Sequence, residues 1–199
     1  MASKAFFDAA PPFPNDIPTI SMNKVRLAGL QAQDAETEQQ LFTACQDLGF
    51  FFLDLQGDTT GDEMIKSIDE LFRLGKDIFN LPEDVKQQYL HDAPKSFLGF
   101  KNRGEAKTET NEPDRFEWFN MGQDGLMGNA DLQRLPPFVL EHIETFKSFM
   151  KHSQKVASVV NHVLAKNLSL PEDALAAAQR PSEQSGTVIR LIKAFASPE

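Results

Sequence analysis

The 199-residue sequence predicts a mostly helical α+β domain. Long stretches repeat apolar residues at steps of three and four, the spacing of one helix face. Three short runs of aromatic and branched residues, near the start, middle and end, are too short for helices and read as strands. Gly- and Pro-bearing polar stretches separate these segments.

The elements follow in order. Residues 17–20, IPTI, read as an extended lead-in, because the residue before Pro18 is pushed away from helix. Residues 34–48 read as a helix with Leu41, Cys45 and Leu48 on one stripe, ended by Gly49. The run 50–55, FFFLDL, reads as a buried strand. A second helix spans about 61–79, with Met64, Ile65, Ile68, Leu71, Phe72, Ile78 and Phe79 as its apolar face. Residues 81–90 begin a further helix, since Pro82 suits a first turn and Glu83 and Asp84 complement its positive end. Residues 91–113 read as loop, 114–120 as strand or turn, and 122–129 as loop. The longest helix is placed at 137–168, on the stripe Val139, Ile143, Phe146, Met150, Ala157, Val160, Leu164 and Leu168. A short helix is placed at 171–179, between Pro171 and Pro181. Residues 187–195, TVIRLIKAF, read as a final strand.

Composition narrows the function. The chain is 41% hydrophobic, with 17 Phe, which suits a buried core. Its formal charge of −9 repels phosphate backbones, and no basic stripe interleaves with aromatics, so nucleic acid is not an expected partner. No run of about 18 apolar residues offers a membrane span. The opening MASKAFFDAAPPFPNDIP lacks the apolar core of a secretory signal. Residues 1–16 are therefore read as a Pro-rich arm on a cytoplasmic domain of residues 17–199. The single cysteine, Cys45, permits no internal disulfide and reads as a buried, inert thiol.

The residues offer little catalytic chemistry of their own. Three of the four histidines, His142, His152 and His162, sit on the long helical stretch at steps of ten, which separates neighbours by about 15 Å along the axis. Metal ligands must converge within about 2 Å of one ion. His142 and Glu144 stand two apart and point to different helix faces. The helix-surface histidines are read as solvated, and no metal site is expected from these or from His91. No nucleophile elbow, dinucleotide fingerprint or P-loop occurs.

Several segments, in order, nevertheless carry a resemblance. They are IPTI (17–20), LFTACQDLGFFFLDLQG (41–57), LFRLGKDIFNLPEDVKQQYL (71–90), SFLGF (96–100), DRFEWFN (114–120), LSLPEDAL (168–175) and VIRLIK (188–193). Each is weak alone; their order and spacing over residues 17–193 are specific. The chain resembles the N-terminal region of the iron(II)/2-oxoglutarate oxygenases of the isopenicillin N synthase type, in the style of fungal natural-product enzymes. The resemblance implies a jelly-roll core, the double-stranded β-helix, that carries a His-x-Asp and a distal His for iron and an Arg-x-Ser for 2-oxoglutarate. These motifs would lie beyond the Arg190 strand, so the chain is expected to lack the complete jelly roll and to hold no cofactor itself. Ala194 stands where members often carry Tyr.

Three functions follow from that resemblance. One is a truncated homologue that acts without iron in a non-redox step, such as cyclisation, isomerisation or elimination. A second is a fragment of an iron(II)/2-oxoglutarate-dependent oxidoreductase that needs its other half. A third is a non-catalytic binding or regulatory subunit. Candidate polar groups for a small-molecule substrate are Arg103, Arg115, Glu117, Arg190 and Lys193. Candidate lining residues are Phe97, Phe100, Phe116, Trp118, Phe119 and Phe195. Apolar faces left bare by a missing jelly roll would favour a homodimer or another covering partner.

Overall fold

The computed structural model describes residues 14–196. The Pro-rich arm lies, through residue 13, outside the described residues. The chain divides into two compact units, residues 14–69 with 151–181, and residues 70–150 with 182–196.

The first unit is built on a small βαβ crossover. Strand β1 (Lys24–Arg26) pairs in parallel with β2 (Phe52–Asp54), with Val25 opposite Leu53. Parallel neighbours need a crossover connection, and helices α1 (Leu27–Gln31) and α2 (Ala35–Asp47) supply it. Asp34 caps α2, accepting the Thr37 backbone N–H at 2.9 Å and the Thr37 hydroxyl at 2.6 Å. These bonds hold the Asp34 carboxyl below the usual aspartate range. Gly49, at φ +75°, turns the chain out of α2 in the left-handed region that a side chain disfavours. Val25, Leu30, Leu41 and Val163 form the core here, with Cys45 packed beside them and partly buried. The expected buried strand at 50–55 is shorter and more exposed than its composition suggests. Phe50 is 68% and Phe52 57% exposed. A two-stranded edge buries one face at most, so an apolar run in it does not imply two-sided burial.

Helix α3 (Thr59–Phe79) gives its residues from 70 onwards to the second unit. A single turn, α4 (Glu83–Lys86), and a 3-10 turn at Gln87–Tyr89 follow, replacing the longer helix expected over 81–90. Strands β3 (Gly99–Lys101), β4 (Phe116–Gly122) and β5 (Val188–Ala194) form an antiparallel sheet with β4 central. Phe100 faces Phe119, and Phe119 faces Leu191. Gly99 is required where it stands. Its φ is +112°, and a Cβ would drive into the Tyr89 carbonyl oxygen.

Three expectations fail in instructive ways. Residues 123–127 form helix α5 (Gln123–Met127) rather than loop; Leu126 is buried and Gly128 ends the turn at φ +83°. The long helix is broken into α6 (Pro137–Glu141) and α7 (Ile143–Asn167). The predicted stripe holds across the break, with Val139, Phe146 and Met150 buried, and shifts further along α7, where Val156 and Val163 are buried while Leu168 is 52% exposed. Residues 171–179 are turns, not helix. Its Pro, Glu and Asp signals mark a helix start, but one turn without a packed apolar face does not propagate.

The core of the second unit packs Leu74, Ile78, Phe100, Phe119, Phe146 and Ile189 among others, and the Phe100 and Phe119 rings lie 4.5 Å apart. Phe119→Ala is expected to cost about 3–5 kcal/mol, the range for emptying a sealed aromatic site. Ile192→Ala, at a residue 57% exposed, is expected to stay within about 0.5 kcal/mol. Urea denaturation of both variants checks the assignment.

Candidate functional site

Directly opposed residues of an antiparallel sheet share a face, and neighbours along a strand alternate. The β3–β4–β5 register therefore sorts the candidates into two sets. Phe100, Phe119, Met121, Ile189 and Leu191 share the face turned to the core, and Glu117 and Lys193 continue that row. Lys101, Phe116, Trp118, Asn120, Arg190, Ile192 and Ala194 share the outer face. Of the lining residues suggested by the sequence, Phe100 and Phe119 are sealed in the core, at 1% and 0% exposed.

Glu117 ties the core-side row together. Its Oε2 accepts from Lys86 Nζ at 3.2 Å and its Oε1 lies 3.6 Å from Lys193 Nζ, while Lys86 also meets Glu83 at 3.1 Å. Glu117 is 7% exposed, so its charge must be compensated locally. Burial works against the Lys86 ammonium. The hydrogen bonds to Glu83 and Glu117, with their negative charge, outweigh that and hold Lys86 above the usual lysine range. Hydrogen bonds from Gln87 and Lys86 hold Glu83 below the usual glutamate range. Glu117 and Lys193 thus complete an ion network.

A second buried pair closes the loop that follows β3. Lys101 Nζ lies 2.5 Å from Asp114 Oδ2, both side chains being 6% exposed. The other Asp114 oxygen accepts the Gly104 N–H at 2.7 Å. Beyond β5, Arg103 lies over the Phe195 ring at 4.6 Å and Lys193 at 5.3 Å. Arg115 donates to the Ala196 carbonyl, and its Nε is buried without an acceptor among the described residues.

The outer face carries a different arrangement. Asn120 is fully buried. Its Nδ2 donates to the Phe97 carbonyl at 2.7 Å, and its Oδ1 accepts from Arg190 Nε at 2.8 Å. The Arg190 guanidinium lies 5.1 Å from the Trp118 ring centroid, within cation–π range. His91 packs against Trp118 at 5.0 Å and stacks on Phe97 at 6.0 Å. The His91 side chain is 7% exposed and its Nε2 meets the Glu105 carboxylate. Beside this cluster Ile192 and Phe97 stand 57% and 54% exposed.

The sequence suggested Arg190, Trp118 and Phe97 but missed Asn120 and His91. A lone amide inside the apolar run WFNM was the available signal for Asn120, since a buried amide needs designed partners. Nothing near His91 marks it in sequence, because its neighbours Phe97 and Trp118 come from other segments. Among the described residues no group of three His, Cys, Asp or Glu side chains could hold a metal.

Residues 17–137 match the family described as non-haem dioxygenase in morphine synthesis, N-terminal. A 2-oxoglutarate-dependent dioxygenase of Aspergillus fumigatus is 27% identical over 187 residues, covering 92% of this chain and 48% of the relative. A full-length Neurospora crassa protein, solved in complex with alpha-KG, superposes with a TM-score of 0.67 at 14% identity, over 86% of this chain and 53% of that one. A putative 2OG-Fe(II) oxygenase family protein of Caulobacter crescentus gives a TM-score of 0.64 at 22% identity, over 87% and 56%. The chain spans about half the length of the curated relatives it matches.

The ion network sets a pH test. Because the Lys86 pKa is raised on folding, its contribution is complete below the ordinary lysine pKa of about 10.4 and is lost as pH rises through the folded value. Lys86→Met is expected to lower stability near neutrality by on the order of 1–3 kcal/mol. The gap between wild type and variant should then narrow as the pH rises above the ordinary lysine value and the wild-type ammonium loses its proton. Urea midpoints across that range check it.

Proposed function

The chain belongs to the non-haem dioxygenase family through that family's N-terminal domain, and from this premise we propose that it serves as the N-terminal half of a 2-oxoglutarate-dependent oxidoreductase. In this reading the outer face of β3–β4–β5 forms one wall of the substrate site. The part of the oxygenase fold that this chain does not span supplies the iron ligands and the 2-oxoglutarate contacts.

The observation that carries the reading is the openness of the outer face on β5. Arg190, Ile192 and Ala194 are exposed side by side on one strand. Beside them Trp118 and Asn120 are buried and fixed. A rigid, half-apolar strand with a bare outward row suits a wall that a second layer completes. Exposed apolar residues grouped in this way favour coverage. The two relatives solved as structures have about twice this chain's matched length, which leaves room for that layer.

An iron-free, non-redox step would instead need a pocket formed by this chain's own residues. The candidates for it are divided between the two sheet faces: Phe100 and Phe119 line the core, and Phe97 and Trp118 the outer side. That division disfavours the metal-free reading. A homodimer covering the same face would serve the binding-subunit reading.

Fusion tests the proposal. The chain is joined after Ala196 to the C-terminal half of the A. fumigatus dioxygenase, and succinate formed from 2-oxoglutarate is followed with and without iron(II). Iron-dependent succinate formation by the fusion, absent from either part alone, is the expected result. A folded fusion that forms no succinate with iron(II) present would count against the proposal.

A further inference from the structure

Arg190 is held in a way that leaves part of it unused. Its Nε is engaged by Asn120 Oδ1 at 2.8 Å. Asn120 cannot swing away, because its amide nitrogen is bonded to the Phe97 carbonyl and its own backbone carbonyl accepts from Gln133 at 2.9 Å. The ring of Trp118 supports the guanidinium from one side. Among the described residues no carboxylate forms an ion pair with Arg190, although the chain carries 29 acidic residues against 20 Lys and Arg. The two terminal nitrogens thus remain as an oriented fork, and a planar fork matches a carboxylate bidentately.

The surroundings define the rest of the ligand. Ile192 follows Arg190 on the outer row of β5 and is 57% exposed. Phe97, whose carbonyl anchors Asn120, is 54% exposed. A ligand gripped at its carboxylate by Arg190 would therefore find apolar surface beside the grip. A dicarboxylate or a phosphate would gain the ion pair but would leave its second charge against Ile192 or Phe97.

We infer that Arg190, held by Asn120 and backed by Trp118, binds the carboxylate of an amphiphilic monocarboxylic acid whose apolar body lies against Ile192 and Phe97. The inference rests on the proposed role of this face as a substrate wall and names the substrate class it takes. Arg190 acts as a binding residue; no bond is made or broken by it.

Trp118 is the chain's single tryptophan, so its fluorescence reports on this site directly. The chain, as it stands, is titrated with 4-phenylbutyrate and with the matching 4-phenylbutyramide. A saturable change in Trp118 emission is expected with the acid, with the amide at least about tenfold weaker, the scale of one charge-assisted hydrogen-bonded contact. Arg190→Gln should weaken the acid to the level of the amide, and Arg190→Lys should recover part of the loss. Position 190 is exposed, and unchanged circular dichroism verifies that the Gln variant is folded. Equal binding of acid and amide, equal binding by wild type and Arg190→Gln, or no saturable change would each overturn the inference. The readout needs neither iron nor turnover. Failure of the fusion to form succinate and failure of this titration are therefore separate results.

Discussion

The second unit depends on one constraint: a seven-residue central strand, paired on both edges, must send alternate side chains to opposite faces. Strand β4 reads Phe-Glu-Trp-Phe-Asn-Met-Gly. Its period of two puts Phe119 and Met121 into the core and Trp118 and Asn120 on the other side. A slip of one residue against β5 would bury Arg190 and expose Leu191. The sealed Phe100–Phe119 contact makes such a slip costly. From this alternation follow both the core of the unit and the position of the face whose polar groups are held ready for a ligand.

Charges within that unit fall into two kinds. Glu117 and Asp114 are buried and answered by Lys86 and Lys101 at hydrogen-bond distance. Removing one partner would strand a buried charge, so these pairs fix loops and strand ends rather than offering chemistry. Arg190 is exposed, bonded to a neutral amide and free of any carboxylate within the described residues. The distinction separates candidates that the sequence had grouped together. Glu117 and Lys193 belong to the structural network, and Arg190 belongs to the open face.

Much of the fold was legible in the sequence. The helix over 34–48, the strand at 187–195 and the glycine stop at Gly49 follow from spacing and turn chemistry, and α2, β5 and the positive φ of Gly49 correspond to them. The resemblance read from ordered motifs agrees with the family match over residues 17–137. What sequence could not supply was placement across segments. The exposure of Phe50 and Phe52 depends on how few strands surround them. The break between α6 and α7 depends on local geometry at His142, which apolar spacing alone bridges over. Likewise the burial of His91 depends on Phe97 and Trp118, brought to it by a turn and by β3 pairing.

The most direct measurement is the thiol accessibility of adjacent β5 positions. Leu191→Cys and Ile192→Cys are each introduced into a Cys45→Ser background, and their reaction with a soluble thiol reagent is timed. Fast labelling at position 192 and slow labelling at position 191 are expected from the register that opposes Leu191 to Phe119 and Ile192 to Trp118. Equal rates, or the reverse order, would mean that the strand does not present Arg190 on an open face, and the functional reading built on that face would fall with it.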